Sequence, residues 1–337
     1  MNARRRTFEL SSPAASAAPA PDAPAALDDV LAGLRAPCKH LPCRLLYDAR
    51  GAELFDQICT LDEYYPTRAE TALLREHLPA AADLIGPHAR IIEPGSGAGQ
   101  KTRMLLSALA RPASYVPIDV CAEQLETTAA ALRVEFPGLE VHPVCSDYAA
   151  ALDVPGAAAA PAGRTAIFFP GSTIGNFEPD DARRFLARFA AIAGPGGVLV
   201  LGADGNHDPG SLLRAYDDAA GVTAAFDLNV LRHLNCSHGA GFDLGGFMHR
   251  AVWNAPRSRI EMHLVSRRRQ HASVAGHEIL FERGEVIVTE HCYKHSEAAL
   301  SSLLDRAGWS VRRVFADPEG RMRLWLAERA PAVGPAS

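Results

Sequence analysis

The run Glu93-Pro94-Gly95-Ser96-Gly97-Ala98-Gly99 sets three glycines at alternate positions directly after the apolar stretch Arg90-Ile91-Ile92. Glycines at a strand-to-helix turn allow positive φ and let a ligand approach the backbone closely. The last glycine of the Gly-x-Gly-x-x-Gly dinucleotide fingerprint is missing, and Gln100 stands in its place. Asp119 lies 22 residues after Gly97, where an acid can accept hydrogen bonds from both hydroxyls of a ribose. Asp147-Tyr148 offers an adenine amino group an acceptor and an aromatic neighbour. A glycine-rich turn alone can be purely architectural. Two acids at the ends of the next two strands turn it into a nucleoside site, and the missing glycine favours S-adenosylmethionine over NAD.

Those residues need a parallel sheet behind them. Arg90–Glu93, Tyr115–Val120, Leu139–Val144, Ala166–Phe169 and Val198–Leu201 read as short buried strands. Helical patterns at Lys101–Ala110, Glu123–Phe136 and Asp180–Ala193 separate them. This alternation predicts a doubly wound α/β fold. Upstream, helices are predicted from Leu27, over Ala52–Leu61, and from about Arg68 to Leu78. After Asp204 the pattern changes: 209–230 is helical, and Arg259–Val265, His277–Phe281 and Glu285–Thr289 alternate as antiparallel strands. A helix over Glu297–Ala307 and two strands, Trp309–Phe315 and Arg321–Ala327, close the chain.

The expected organisation is a flexible tail (1–26), N-terminal helices (27–85), a nucleoside-binding domain (86–204 and 286–328), an insertion (205–285) and a short tail (329–337). Arg5-Arg6-Thr7-Phe8 faintly resembles an export signal, but Pro13 and further prolines interrupt the apolar core that should follow.

Of the 337 residues, 48% are hydrophobic and 22% charged, enough for a full-sized core. A net charge of −5 argues against a nucleic-acid footprint, which needs clustered positive charge. No apolar run approaches the ~18–20 residues of a membrane span. The seven cysteines contain no Cys-x-x-Cys pair, consistent with thiols in a reducing cytosol. His291, Cys292 and His295 lie close in sequence but lack any established metal-ligand spacing, so no metal is expected. The expectation is a monomeric cytoplasmic protein acting on a small polar molecule.

Longer blocks carry a resemblance. Glu93-x-Gly95-x-Gly97 with Asp119 resembles the class I S-adenosylmethionine-dependent methyltransferases. Leu46-Tyr47-Asp48, Glu63-Tyr64-Tyr65-Pro66-Thr67-Arg68, Gly171-Ser172-Thr173-Ile174-Gly175-Asn176, Tyr216–Thr223 and Ile260-Glu261-Met262 resemble the L-histidine Nα-methyltransferases of ergothioneine biosynthesis, over about residues 37–328. The resemblance implies a Rossmann-like sheet joined by a second α+β domain, built from the N-terminal helices and the insertion, with the amino acid between them. It implies three methyl transfers from S-adenosylmethionine to the α-amine of histidine, giving hercynine. By position, Tyr47, Gly95, Gly97, Lys101, Asp119, Asp147 and Tyr148 would line the cofactor. Tyr64, Asn176, Tyr216, Met262, Glu290 and Cys292 would line the substrate, with Tyr47 and Tyr64 nearest the chemistry.

The chemistry fits those types. Methyl transfer from a sulfonium is an in-line displacement, so alignment and water exclusion matter most. An amide (Asn176) and a phenol (Tyr216) suit a carboxylate, Glu290 suits an imidazole N–H, and Tyr47 and Tyr64 suit a cationic amine. Each has a plainer alternative. Asn176 can cap the helix near Pro179, Tyr216 can lie on a helix surface, Met262 can be core, and Glu290 can be solvated at a strand end. Cys292 departs from the family, which carries a serine there that assists Glu290. Two further functions stay open: methylation of another amino acid or small amine, and a non-catalytic nucleoside-binding module.

Overall fold

The computed structural model describes residues 23–149 and 163–329. The tails read over 1–26 and 329–337 and the Ala/Pro/Gly stretch at 154–163 fall wholly or largely outside the described residues. Three helices come first: α1 (Ala23–Arg35), α2 (Ala49–Ile58) and α3 (Tyr65–Ile85). α2 starts earlier than its apolar spacing predicts because Asp48 caps it, accepting the Gly51 N–H at 2.7 Å. α3 carries Pro66 in its first turn, where a missing N–H costs nothing. It then continues through Pro79, near which the sequence predicts its end. Leu74, Ala81 and Ile85 are fully buried on both sides of Pro79, so packing carries the helix past the lost bond.

The α/β alternation follows as β1 (Arg90–Pro94), α4 (Gln100–Ala108), β2 (Ser114–Asp119), α5 (Ala122–Glu135), β3 (Glu140–Val141), β4 (Val144–Cys145), β5 (Thr165–Phe169), α6 (Pro179–Ala193) and β6 (Val198–Asp204). The single third strand of the sequence reading is two short pieces, β3 and β4, which pair with β2 at Ser114–Tyr115 and at Ile118–Asp119. Next come α7 (Pro209–Tyr216) and α8 (Val222–His238), then β7 (Phe247–Asn254), β8 (Arg259–Ser266), β9 (Gln270–Val274), β10 (His277–Phe281) and β11 (Val286–Tyr293). The chain closes with α9 (Glu297–Arg306), β12 (Trp309–Ala316) and β13 (Met322–Arg329).

The large sheet has the order β12-β13-β6-β5-β1-β2-β3, with β4 also on β2. β1, β2, β5 and β6 are mutually parallel, and β13 inserts antiparallel beside β6. This is the doubly wound, Rossmann-like sheet that the sequence predicts, with one antiparallel strand inserted near its edge. β1, β5 and β6 are buried along their whole length, which explains their continuous apolar runs. Ile91, Tyr115 and Phe168 pack with Leu74, Leu105 and Leu132 on one face, whereas Ile92, Val116 and Phe169 pack with Phe185, Phe189 and Leu304 on the other.

A separate core unites α1, α2, α7, α8 and the antiparallel strands. Two features differ from the sequence reading. The helical stretch at 209–230 is two helices, because Asp218 caps α8, accepting the N–H groups of Val222 at 3.0 Å and Thr223 at 2.7 Å. β11, expected to belong to the nucleoside-binding domain from residue 286 onward, instead pairs with β8 in a three-stranded sheet, β11-β8-β7. Backbone bonds between Val288 and both Lys39 and Leu41 tie it to the N-terminal segment. None of the described helices is long and apolar enough to cross a membrane.

Candidate active site

The carboxyl ends of β1, β2, β4 and β5 open into a cleft of about 530 Å³. Its floor is the glycine turn, where Gly95 (φ 70°) and Gly97 (φ 50°) lie in the left-handed region. A Cβ on Gly95 would stand 3.3 Å from the Tyr148 ring, whereas one on Gly97 would meet nothing within 4 Å. The turn therefore lies close to Tyr148 on one side and leaves open room on the other. Asp119 braces it: one carboxylate oxygen accepts the Gly97 N–H at 3.0 Å, the other the Cys121 N–H at 3.1 Å. A carboxylate has about four lone-pair sites, so two remain for ribose hydroxyls.

Below the turn, Glu93 accepts from Thr102 and Tyr115 hydroxyls, each at 2.6 Å. Burial raises its carboxyl to about 8 despite those bonds. Asp147 accepts the Ala149 N–H at 2.8 Å. Tyr148 packs edge-on to Phe169 and Phe185, presenting an aromatic wall. Lys101 also lines this cleft, yet its ammonium is bound by Glu70, a fully buried carboxylate that also accepts the Gly171 N–H at 2.8 Å. The sequence reading missed Glu70, since nothing in the α3 pattern marks it.

A smaller recess of about 50 Å³ adjoins the cleft, and both are lined by Tyr47, Phe55, Tyr64 and Asn176. Tyr216, Met262, Glu290 and Cys292 complete it. The residues expected to hold the substrate thus come together, from segments far apart in the chain. Tyr47 is set edge-on to Phe55 at 5.6 Å and Phe226 at 5.4 Å, and Tyr64 to Tyr216 at 6.1 Å. Burial holds all three phenols well above 10, so at neutral pH they are hydrogen-bond donors and poor bases.

Asn176 ends a short 3-10 turn and donates its amide to Glu290 Oε1 at 2.9 Å. The residue flanking α6 is Glu178, with no side-chain cap, so Asn176 is not a helix cap. Glu290 sits mid-strand, not at a strand end: β11 has a bulge between Val288 and Glu290, and the strand continues to Tyr293. Burial first, then Asp227, lifts the Glu290 carboxyl to about 7, while Lys294 pulls the other way. Asp227 itself is bonded to His249 Nδ1 at 2.7 Å and to the Thr289 hydroxyl at 2.5 Å. His249 meets a carboxylate at one ring nitrogen and the Tyr216 carbonyl, 2.8 Å away, at the other. Both partners only accept, so this ring is an imidazolium, in keeping with its raised pKa.

Met262 pairs with Glu290 across the β8–β11 ladder and is 2% exposed, so it is core and recess wall at once. The Cys292 thiol lies 3.0 Å from the Tyr216 hydroxyl and 3.3 Å from Lys294 Nζ. Lys294, fully buried and paired with Asp204 at 2.9 Å, was missed by the sequence reading. Its signal was the two-residue alternation Glu290-x-Cys292-x-Lys294, which puts three functional side chains on one strand face. His291 and Tyr293 face the other way and bind Glu178, each at 2.7 Å.

A family model described as histidine-specific methyltransferase, SAM-dependent, matches residues 26–329. The chain is 43% identical over 308 residues to a histidine N-alpha-methyltransferase of Mycolicibacterium smegmatis, covering 89% of this chain and 94% of that protein. A histidine N-alpha-methyltransferase of Mycobacterium tuberculosis is 41% identical, over 89% of this chain and 94% of its own length. A Neurospora crassa protein named ergothioneine biosynthesis protein 1 is 36% identical over 200 residues, 58% of this chain and 23% of that protein.

Proposed function

The chain belongs to the SAM-dependent, histidine-specific methyltransferase family, and from that membership we propose that it methylates the α-amine of L-histidine three times, yielding hercynine. The observation that carries the reading is a polar recess opening beside a nucleoside cleft, with donors at one part and a buried carboxyl, Glu290, at another.

S-adenosylmethionine, when bound, supplies the sulfonium methyl. Gly95, Gly97 and Asp119 would hold the ribose and the adjoining chain, and Asp147 and Tyr148 the adenine. Asn176 has two amide N–H donors, and only one is used by Glu290. The second, with the Tyr216 hydroxyl, addresses the substrate carboxylate. Glu290 accepts an imidazole N–H. Tyr47 and Tyr64 line both cavities, and their aromatic rings suit the cation that builds up with each transfer. The reacting amine must lose its proton before each transfer, and because the neutral phenols are poor bases that proton goes to water.

The direct test is mass spectrometry of histidine incubated with the protein and S-adenosylmethionine, expecting additions of one, two and then three methyl groups. Methylation of another amino acid with none of histidine would overturn the substrate and leave the transferase.

A further inference from the structure

We propose that Lys294 is a positioning residue that commits Tyr216 to binding a carboxylate, and so makes the acceptor an α-amino acid, not its decarboxylated amine. The inference rests on the transferase reading above and adds the origin of its selectivity.

The argument is one of donors and acceptors. The Lys294 ammonium has three protons and three partners: Asp204 Oδ2 at 2.9 Å, Tyr216 Oη at 2.9 Å and Cys292 Sγ at 3.3 Å. Tyr216 Oη therefore accepts from Lys294, and its own proton is left to donate. Among the described residues its one neighbour for that proton is the Cys292 sulfur, a weak acceptor, at 3.0 Å. A carboxylate entering the recess is a far better acceptor and takes that proton. A substrate ammonium fares badly in the same place, because the phenol oxygen is already engaged and a cation stands directly behind it.

Asp204 does not cancel this field completely. Its Oδ2 also accepts from the Tyr65 hydroxyl at 2.6 Å and its Oδ1 from the Asn206 N–H at 2.9 Å, so its charge is spread over three donors. Lys294 lies 4.7 Å from the Tyr216 ring centroid, which fixes it against the phenol. Burial is the largest single influence and lowers the lysine's pKa, but Asp204 and the groups around it together raise it on balance, so the ammonium persists.

The test compares kcat/KM for histidine and histamine in the parent and in Lys294→Met, with S-adenosylhomocysteine affinity as the check on the fold. The histidine KM should rise about tenfold or more with kcat much less affected, and the histidine-to-histamine preference should shrink by a similar factor. If the single variant is unstable because Asp204 is left buried and unpaired, Lys294→Met with Asp204→Asn removes both charges and serves instead. A folded variant that binds S-adenosylhomocysteine like the parent and keeps the parental preference overturns the proposal. A parent that ignores histidine sinks the substrate reading alone. The same ratio is then taken with the preferred amino acid and its decarboxylated amine.

Discussion

Replacing Glu290 separates what this carboxyl costs the fold from what it contributes to the acceptor. It is 7% exposed, and its pKa is raised from 4.5 to about 7, chiefly by burial. Between those two values the folded protein binds more protons than the unfolded chain, so this group's contribution to stability falls as pH rises through the window. Each tenfold change is worth about 1.4 kcal/mol, so carrying the ionised carboxylate above pH ~7 costs on the order of 3 kcal/mol. Glu290→Gln keeps the shape and removes the titration. Its stability relative to the parent should be little changed at about pH 5 and should rise by a few kcal/mol at about pH 8, as read by urea unfolding.

Binding should move the opposite way. A hydrogen bond to a charged group contributes roughly 1.5–3 kcal/mol, so the histidine KM should rise about 10- to 150-fold. Affinity for S-adenosylhomocysteine, which the cleft and not the recess supplies, should stay within about twofold by calorimetry. A variant more stable at high pH yet poorer at holding histidine is the expected combination. An unchanged KM, or a stability difference that ignores pH, refutes the role given to this carboxyl.

Three other substitutions probe the rest of the site. Asp119→Ala should weaken S-adenosylhomocysteine binding at least about tenfold by calorimetry, since the ribose acceptor and the brace on the Gly97 N–H go together. Undiminished affinity would remove Asp119 from the ribose. Asn176→Ala should raise the histidine KM by about tenfold while S-adenosylhomocysteine affinity holds, and simultaneous loss of both would mean that the turn at Thr173–Asn176 has collapsed. Cys292→Ser should leave histidine turnover intact with an equal or lower KM, because a hydroxyl is a stronger hydrogen-bond donor than a thiol to an imidazole held at Glu290. A large loss would show that the sulfur itself shapes the recess.

The cofactor side was legible because a parallel sheet writes its site locally. Asp119 ends a strand and Gly95 and Asp147 closely follow one, and sheet topology brings strand ends together without further information. The acceptor side has no such grammar. Tyr47 sits beside a helix cap, Tyr64 precedes a helix, Asn176 ends a turn, Tyr216 ends α7, and Met262 and Glu290 face each other across a ladder. Spacing cannot join six separate segments, and only the blocks shared with the family pointed to them. Where local signals were read literally, a single feature defeated each. Asp218 broke the helix over 209–230, buried neighbours carried α3 past Pro79, and the bulge before Glu290 hid the continuation of β11.

That bulge is also what makes the recess possible. With Val286–Val288 in one register and Glu290–Tyr293 in another, Thr289 turns inward to Asp227 while Glu290, Cys292 and Lys294 fall on the recess side. This segment thereby supplies a carboxyl for a ring N–H and, two repeats further on and just past the end of β11, an ammonium that fixes the polarity of Tyr216. Asp204 is bonded to Lys294 and Asp227 to His249. Glu290 then remains the one recess-lining carboxyl without a cation in hydrogen-bond contact among the described residues, and that is the feature a histidine side chain is suited to meet.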